Sequence, residues 1–398
     1  MFVCGRIDLE NYPVPPRSFL LRNDSKGSNT RFTDVTSIVA KDLEKPGLIA
    51  SALWTDFNKD GWTDLILTGE WMPLTFYRNE NGKFLNVTSS TGLDKYTGWW
   101  NSIAAGDFDK DGDIDYAAGN LGLNTEYKVS QDEPMRIVAK DFDVNGSLDP
   151  VCSYYVQGKS YPIYHRNLLI TQVPSLKNKF KTYEDYARAT FDDIFPAASL
   201  KDAYIRDCRF FESAWIENLG NGTFKIHSLP IEAQISPIFG ILTGDYNSDD
   251  NPDLLLTGNS YSSNIYTGKY DALIGVLLEG DGNGGFSAVP GRESGFFADG
   301  DAKGMAELTM KDGSSLVLVA QNSDSLRVMK SLKRPLKIIK LKNDEVSAEL
   351  TYKNGSKEYR EFYYGSGYLS QSSRVCPIPE GVASVTFTTY KGETRKIH

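Results

Sequence analysis

The 398-residue sequence predicts an all-β fold, a β-propeller of four-stranded blades with one helical insertion and a small C-terminal β module. Three observations lead there. A nine-residue acidic frame recurs four times, each copy lying between two short apolar runs of strand length. Asn-Gly pairs at Asn81-Gly82 and Asn221-Gly222 separate alternating stretches, which is the chemistry of tight hairpin turns. The first two frames begin at residues 56 and 107, about 50 residues apart and close to the roughly 40 to 50 residues of one blade.

Taken in chain order, residues 1–44 hold three strand-like runs (2–4, 18–22 and 31–36) with no acidic frame ahead of them, and resemble a blade lacking its first strand. Run 51–54, frame 56–64 and runs 65–68, 74–78 and 84–87 make one full blade. The third frame, 141–149, begins about 34 residues after the second, short of the roughly 40 to 50 of a blade. The second blade is therefore expected to have short outer strands, or to give them over to the loop at 120–124. The fourth frame, 245–253, comes about 100 residues after the third, against the roughly 40 to 50 of a blade. Between about residues 168 and 207 the pattern turns helical, with Thr182 as N-cap and Asp185 three residues on, so a helical insertion on one blade accounts for the excess. That blade resumes at 213–217 and 224–226. Run 272–278 and the glycine-rich turn 280–285 then form a hairpin, and the turn is no phosphate cradle because no helix follows it. Runs 304–310 and 315–319 repeat the pattern around a loop cut down to Lys311-Asp312-Gly313, which has too few ligands for a metal. Five blade starts and the partial first blade make six visible blades, with a seventh allowed in a longer protein.

The second frame shows its chemistry most fully. Asp107, Asp109 and Asp111 alternate, Gly112 stands where the chain must turn, and Asp115 closes the frame. A hard cation such as calcium takes six to eight oxygens, and side chains at positions 1, 3, 5 and 9 plus the position-7 carbonyl of Asp113 supply most of them. An EF-hand opens in the same way but needs a bidentate Glu at position 12 and helical flanks. Here position 12 is Ala118 and the flanks alternate as strands do. The plain alternative is an acidic hairpin turn, since Asp and Gly are ordinary turn residues. Repetition decides for metal: frames 56–64 and 141–149 differ only by Asp/Asn exchange at the polar positions, and frame 245–253 places Asp250 where the others have Gly. Each copy also carries an aromatic residue at position 2.

These loops resemble FG-GAP or VCBS repeats, the calcium-loop blades of integrin α-subunit propellers and of many secreted bacterial proteins. The resemblance implies four ligand sets: Asp56, Asn58, Asp60 and Asp64; Asp107, Asp109, Asp111 and Asp115; Asp141, Asp143, Asn145 and Asp149; and Asp245, Asn247, Asp249 and Asp253. The carbonyls of Trp62, Asp113, Ser147 and Asn251 would join them, holding three to four calcium ions. From about residue 336 the acidic frames stop. The stretch 365–371 (Gly-Ser-Gly-Tyr-Leu-Ser-Gln), with runs 382–387 and 390–394, resembles the ASPIC/UnbV module that follows FG-GAP repeats in cartilage-acidic-protein-like proteins, although the Phe-Gly-Leu-Gly often found after Ser-Gln is absent. The expected division is a propeller over 1–335 and a C-terminal module over 336–398.

A formal net charge of −9 argues against nucleic-acid binding, which calls for a basic footprint. No apolar run reaches the eighteen or so residues of a membrane helix. Cys4, Cys152, Cys208 and Cys376 lie far apart without a Cys-x-x-Cys pair and read as free, mostly buried thiols. His165, His227 and His398 fall in no hydrolase signature, so no catalytic residue is assigned and no enzyme is expected. Trp99-Trp100 and Tyr154-Tyr155 are platforms on which sugars could stack, but packing between blades is the favoured reading. The expectation is a monomeric calcium-binding module for adhesion to a protein or glycan, with a polysaccharide-active enzyme or lectin as the alternative. Loops tuned to millimolar calcium place it at the cell surface, in the periplasm or outside the cell. The partial first blade suggests the C-terminal portion of a longer exported protein.

Overall fold

Strand outweighs helix by 42% to 11% in the computed structural model, which describes residues 1–263, 267–331, 336–365 and 367–398. Every sheet is antiparallel. Phe2–Val3, Phe19–Asn23 and Phe32–Asp34 form a three-stranded N-terminal sheet. Its Leu20, with Val35 and Leu43, packs on Ile49, Leu65 and Leu67 of the next sheet. Phe2 and Val3 pair with Leu20 and Phe19, and the Gly5 carbonyl accepts the Ile49 N–H at 3.0 Å.

The first frame joins Leu48–Thr55 to Asp64–Met72, Thr75–Glu80 and Lys83–Asn86 follow in sequence order, and the short strand Gly98–Trp99 pairs with the far end of Asp64–Met72 as a fifth. Asn81 (φ 54°) and Gly82 (φ 86°) both take the left-handed turn that a two-residue hairpin requires. Asp64–Met72 is buried along nearly its whole length because sheets lie against both of its faces. That double burial explains why its sequence is an apolar run instead of an alternating one.

The second sheet corrects the expected layout. Ser102–Gly106 and Asp115–Gly119 are completed by Ala214–Asn218 and Phe224–Ser228, with Ala117 opposite Trp215, and not by short outer strands or the 120–124 loop. Everything between is an insertion inside this sheet. It comprises Met135–Lys140, Asp149–Val156, Lys159–Pro162 and Tyr204–Cys208, together with the third frame and the short helices Arg166–Gln172, Leu176–Lys179, Tyr183–Arg188 and Phe191–Ile194. The Thr182–Asp185 capping box is present. Val138, Val151, Leu169, Phe180, Phe191 and Phe195 give one face of the insertion a core of its own, while Met135, Ile137, Cys152 and Cys208 on its other face pack with Leu48 and Trp71 of the first sheet. Fully buried Asn120 ties its two ends together: its N–H donates to Ser213 Oγ at 3.0 Å, its Oδ1 accepts from the Trp99 N–H at 3.0 Å, and its Nδ2 donates to the Phe210 carbonyl at 3.0 Å.

The fourth frame lies in the sheet Ile238–Gly244, Asp253–Gly258, Val276–Gly280 and Phe286–Val289, with the predicted hairpin at 280–285. Ala302–Thr309, Ser315–Gln321 and Arg327–Lys330 follow as a three-stranded sheet. First strands of successive sheets run side by side: Leu48–Thr55 beside Ser102–Gly106, that strand beside Ile238–Gly244, and that beside Ala302–Thr309.

The C-terminal residues form two further sheets. One pairs Lys337–Lys340 with Val375–Ile378; the other orders Lys357–Glu361, Glu345–Tyr352, Val382–Thr389 and Thr394–Ile397. They share a core of Leu341, Ala348, Leu350, Cys376, Val385 and Phe387. Residues 370–373 run along Ala302–Thr309, where Ser370 Oγ donates to the Met305 carbonyl at 2.7 Å and the Ser373 N–H donates to the Glu307 carbonyl at 2.9 Å.

Candidate metal loops

All four frames adopt one conformation. Position 4 is left-handed in each (Lys59, Lys110, Val144 and Ser248), and so is position 6 (Gly61, Gly112, Gly146 and, at φ 68°, Asp250). Asp250 therefore takes the turn that glycine takes elsewhere, as Asp tolerates better than most residues. The position-1 carboxylate closes each turn by accepting the position-6 N–H: Asp56 from Gly61 at 2.8 Å, Asp107 from Gly112 at 3.1 Å, Asp141 from Gly146 at 2.8 Å and Asp245 from Asp250 at 3.1 Å. At position 9, Asp115 accepts the Phe108 N–H at 3.0 Å, Asp149 that of Phe142 at 2.9 Å and Asp253 that of Tyr246 at 2.7 Å.

The second and third frames gather their carboxylates most closely. Oxygens of Asp107, Asp109 and Asp115 lie within 4.8 Å of one another, as do those of Asp141, Asp143 and Asp149. Asp111 and Asn145 each accept the position-7 N–H at 2.8 Å, from Asp113 and Ser147. In the first and fourth frames an Asn replaces the position-3 carboxylate. Asn58 Nδ2 donates to Asp60 Oδ2 at 2.9 Å and Asn247 Nδ2 to Asp249 Oδ2 at 3.0 Å, which steadies positions 3 and 5 against each other.

Burial and crowding push the inner carboxyls up. Asp64, with no exposed surface, rises to about 8, first through burial and then through the nearby charges of Asp60 and Asp56. Burial likewise takes Asp115 to about 7 and Asp253 to about 6. Asp107 reaches about 6 through burial and the neighbouring Asp111 and Asp109. Asp64 Oδ2 and Asp107 Oδ1 are also buried without any hydrogen-bond partner. An unpartnered buried carboxylate oxygen is costly, and a cation supplies what each lacks. The donor set therefore fits a hard, oxygen-seeking ion.

Links between neighbouring loops were not foreseen in the sequence. Lys59, at position 4 of the first frame, pairs with Asp113 at position 7 of the second, and Lys110, at position 4 of the second, donates to Asn251 at position 7 of the fourth at 2.6 Å. The signal was available, since Lys recurs at position 4 in two frames and an oxygen-bearing side chain stands at position 7 of the frame each one meets. The position-2 aromatics follow the same order: Phe57 packs edge-on to Phe224 of the second sheet, and Phe108 to Phe286 of the fourth-frame sheet. The Tyr246 hydroxyl donates to Glu307 of the following sheet at 3.3 Å.

Trp62, at position 7 of the first frame, is 46% exposed. Trp100 is fully buried, Trp99 stands edge-on to Trp71 and Tyr154 edge-on to Tyr127, so these rings are committed to packing. His227 stacks on Trp215 and bonds Glu217 at 2.6 Å, and His165 caps a helix. All four cysteines are free. No described helix is long and apolar enough to cross a membrane.

A search of curated proteins finds no match. Among solved structures, the chain aligns over its whole length with 58% of the Vibrio cholerae biofilm matrix protein Bap1, at 12% identity and a TM-score of 0.23, too low to carry an argument. The sequence profile that matches is that of the FG-GAP-like repeat, and it covers residues 56–118, from the first ligand of the first frame to the strand after the second: this segment is an FG-GAP-like repeat.

Proposed function

We propose that the chain is a calcium-stabilised, propeller-like scaffold that works outside the cytosol as a non-catalytic binding or adhesion module for a protein or glycan. The observation that carries this reading is the pair of buried, unpartnered carboxylate oxygens, Asp64 Oδ2 and Asp107 Oδ1, inside loops that share one backbone conformation. Calcium would supply the positive charge these carboxylates lack. Two carboxylates about 5 Å apart at an effective dielectric near 20 repel by roughly 3 kcal/mol, so loops without a cation are strained where they join the first two strands of a sheet. The side-by-side first strands of the first, second, fourth-frame and last sheets support blades arranged about a common axis, with the third frame outside that series. Extracellular calcium concentrations suit such loops, which is the support for a location outside the cytosol.

The test is elemental analysis of purified protein beside thermal melts in calcium, magnesium and chelator. Three or four calcium ions per chain, a melting temperature raised by calcium and poor rescue by magnesium are expected. Fewer than two ions, with melts indifferent to chelator, would reduce the frames to acidic turns. A glycan array and a panel of polysaccharide substrates test the binding role, and turnover abolished by replacing one carboxylate outside the frames would overturn it in favour of an enzyme.

A further inference from the structure

The strand Lys357–Glu361 of the C-terminal sheets ends on the root of the first metal loop. Glu361 Oε1 accepts the backbone N–H of Asp56, the first residue of that loop, at 2.9 Å. Its Oε2 accepts from Thr55 Oγ1 at 2.7 Å and from the Tyr363 hydroxyl at 2.9 Å. Thr55 Oγ1 is in turn 2.9 Å from the hydroxyl of Tyr116, a fully buried residue that directly follows Asp115, the closing residue of the second loop. With Thr55 donating to the carboxylate, the Tyr116 hydroxyl donates to Thr55. Tyr359 and Tyr363 pack against the core shared by the first and second sheets. One carboxylate from a region about 300 residues downstream thus holds the backbone where the first loop starts and reaches, through two hydroxyls, the residue where the second loop ends.

We propose that docking of residues 357–363 and cation binding by the first loop are thermodynamically linked, so that the C-terminal sheets are held in place by calcium and release their hold when it is withdrawn. The proposal rests on the calcium reading above. Its physical basis is that both events require the same backbone at residues 55 and 56. A cation fixes Asp56 against Asp60 and Asp64 and so presents the Asp56 N–H where Glu361 expects it. Conversely, Glu361 holds that N–H while the loop is empty and lowers the ordering that the cation must impose. Linkage is reciprocal, so losing the Glu361 contact weakens cation binding by the factor with which the cation strengthens docking.

The test is amide hydrogen exchange of the full chain with and without calcium chloride, read at residues 56–64, 141–149 and 357–363 in the wild type, Asp60→Ala and Glu361→Gln. Calcium should slow exchange at all three segments in the wild type. In Asp60→Ala the slowing at 357–363 should vanish while that at 141–149 persists, which shows that the variant is folded and still binds calcium elsewhere. Glu361→Gln should weaken calcium binding read at 56–64 by about fivefold or more, a typical coupling, and leave the response at 141–149 as it was. If calcium slows exchange at 56–64 but not at 357–363, the linkage is wrong and the calcium reading stands. If it slows exchange at neither 56–64 nor 141–149, both fall together.

Discussion

The third acidic loop and the other three have one backbone and opposite relations to the rest of the molecule. In the first and second loops the position-2 phenylalanine packs on the following sheet, and the position-4 lysine reaches position 7 of the following loop. In the third loop Phe142 packs on Phe195 of the inserted helices, and position 4 is Val144, 89% exposed. The closing carboxylates differ as well. Asp64, Asp115 and Asp253 each accept a backbone N–H from the third strand of their sheet, from Asn79 at 2.7 Å, Asn218 at 2.8 Å and Gly280 at 3.0 Å, whereas Asp149 accepts that of Phe142 in its own loop. The nine-residue frame thus specifies a turn and a set of oxygens. Whether the turn joins neighbouring sheets is specified by the side chains at positions 2, 4 and 7, none of which belongs to the proposed ligand set.

The largest effect expected from this difference is on the pH dependence of cation-free protein. A carboxyl whose folded-state pKa lies above its unfolded value near 4 adds stability below that pH and loses it as pH rises through the folded value. With Asp107 and Asp253 at about 6, Asp115 at about 7 and Asp64 at about 8, chelated protein should lose stability progressively from about pH 4 to pH 8. Calcium should abolish most of the loss, because it takes the ionised form. The third loop should contribute less, since backbone N–H groups hold Asp141 below the usual carboxylate range and offset the upward push that burial gives Asp149. Melts across this pH range with and without chelator decide it, and a chelated protein that gains stability between pH 4 and 8 would contradict the account.

Next in size is Phe108→Ala, which removes a fully buried ring between two sheets and should cost about 3 to 5 kcal/mol in urea unfolding. Phe142→Ala, at a half-buried site, should cost no more than about half of that. Asp115→Ala leaves two buried N–H donors without partners and should cost about 2 to 5 kcal/mol, against about 1 to 3 for Asp149→Ala, which strands one. Equal losses within either pair would erase the distinction between joined and isolated loops. Asp250→Gly relieves a left-handed non-glycine residue and should stabilise by about 1 kcal/mol, with tighter calcium binding at the fourth loop by calorimetry. Smallest is Lys110→Met, since a solvated link of this kind contributes about 0.2 to 1 kcal/mol. It should be resolved only by a double-mutant cycle with Asn251→Ala.

The frames, their left-handed turns, the Asn-Gly hairpins and the Thr182–Asp185 cap were legible because each rests on residues within a few positions of one another. The partner strands of Asp115–Gly119 were not. Spacing invited the assumption that a sheet is completed by the strands that follow it, and nothing local at Leu121-Gly122 marks a departure that returns only at Ser213. Fully buried Asn120 is the residue that marks it in the structure, yet in the sequence it reads as an ordinary turn asparagine. The Glu361 contact was illegible for the same reason, since it joins residues 306 and 305 positions apart.

The pairing of Ala117 with Trp215 has a consequence for how the chain is made. A ribosome adding roughly 5 to 20 residues per second needs about 5 to 20 seconds to deliver the roughly 100 residues between them. Throughout that interval the outer edge of Asp115–Gly119 has no strand to bond, and an open edge of this kind is a template for pairing with other chains. The inserted segment meanwhile can bury one apolar face within itself and the other against the first sheet, already made, and once ordered it delivers Ser213 beside Asn120, replacing a long closure with a short one. Its place inside the second sheet therefore makes the order of synthesis part of the folding route. A chain with the insertion cut out and its ends rejoined should refold faster than the whole, because the separation between paired strands falls.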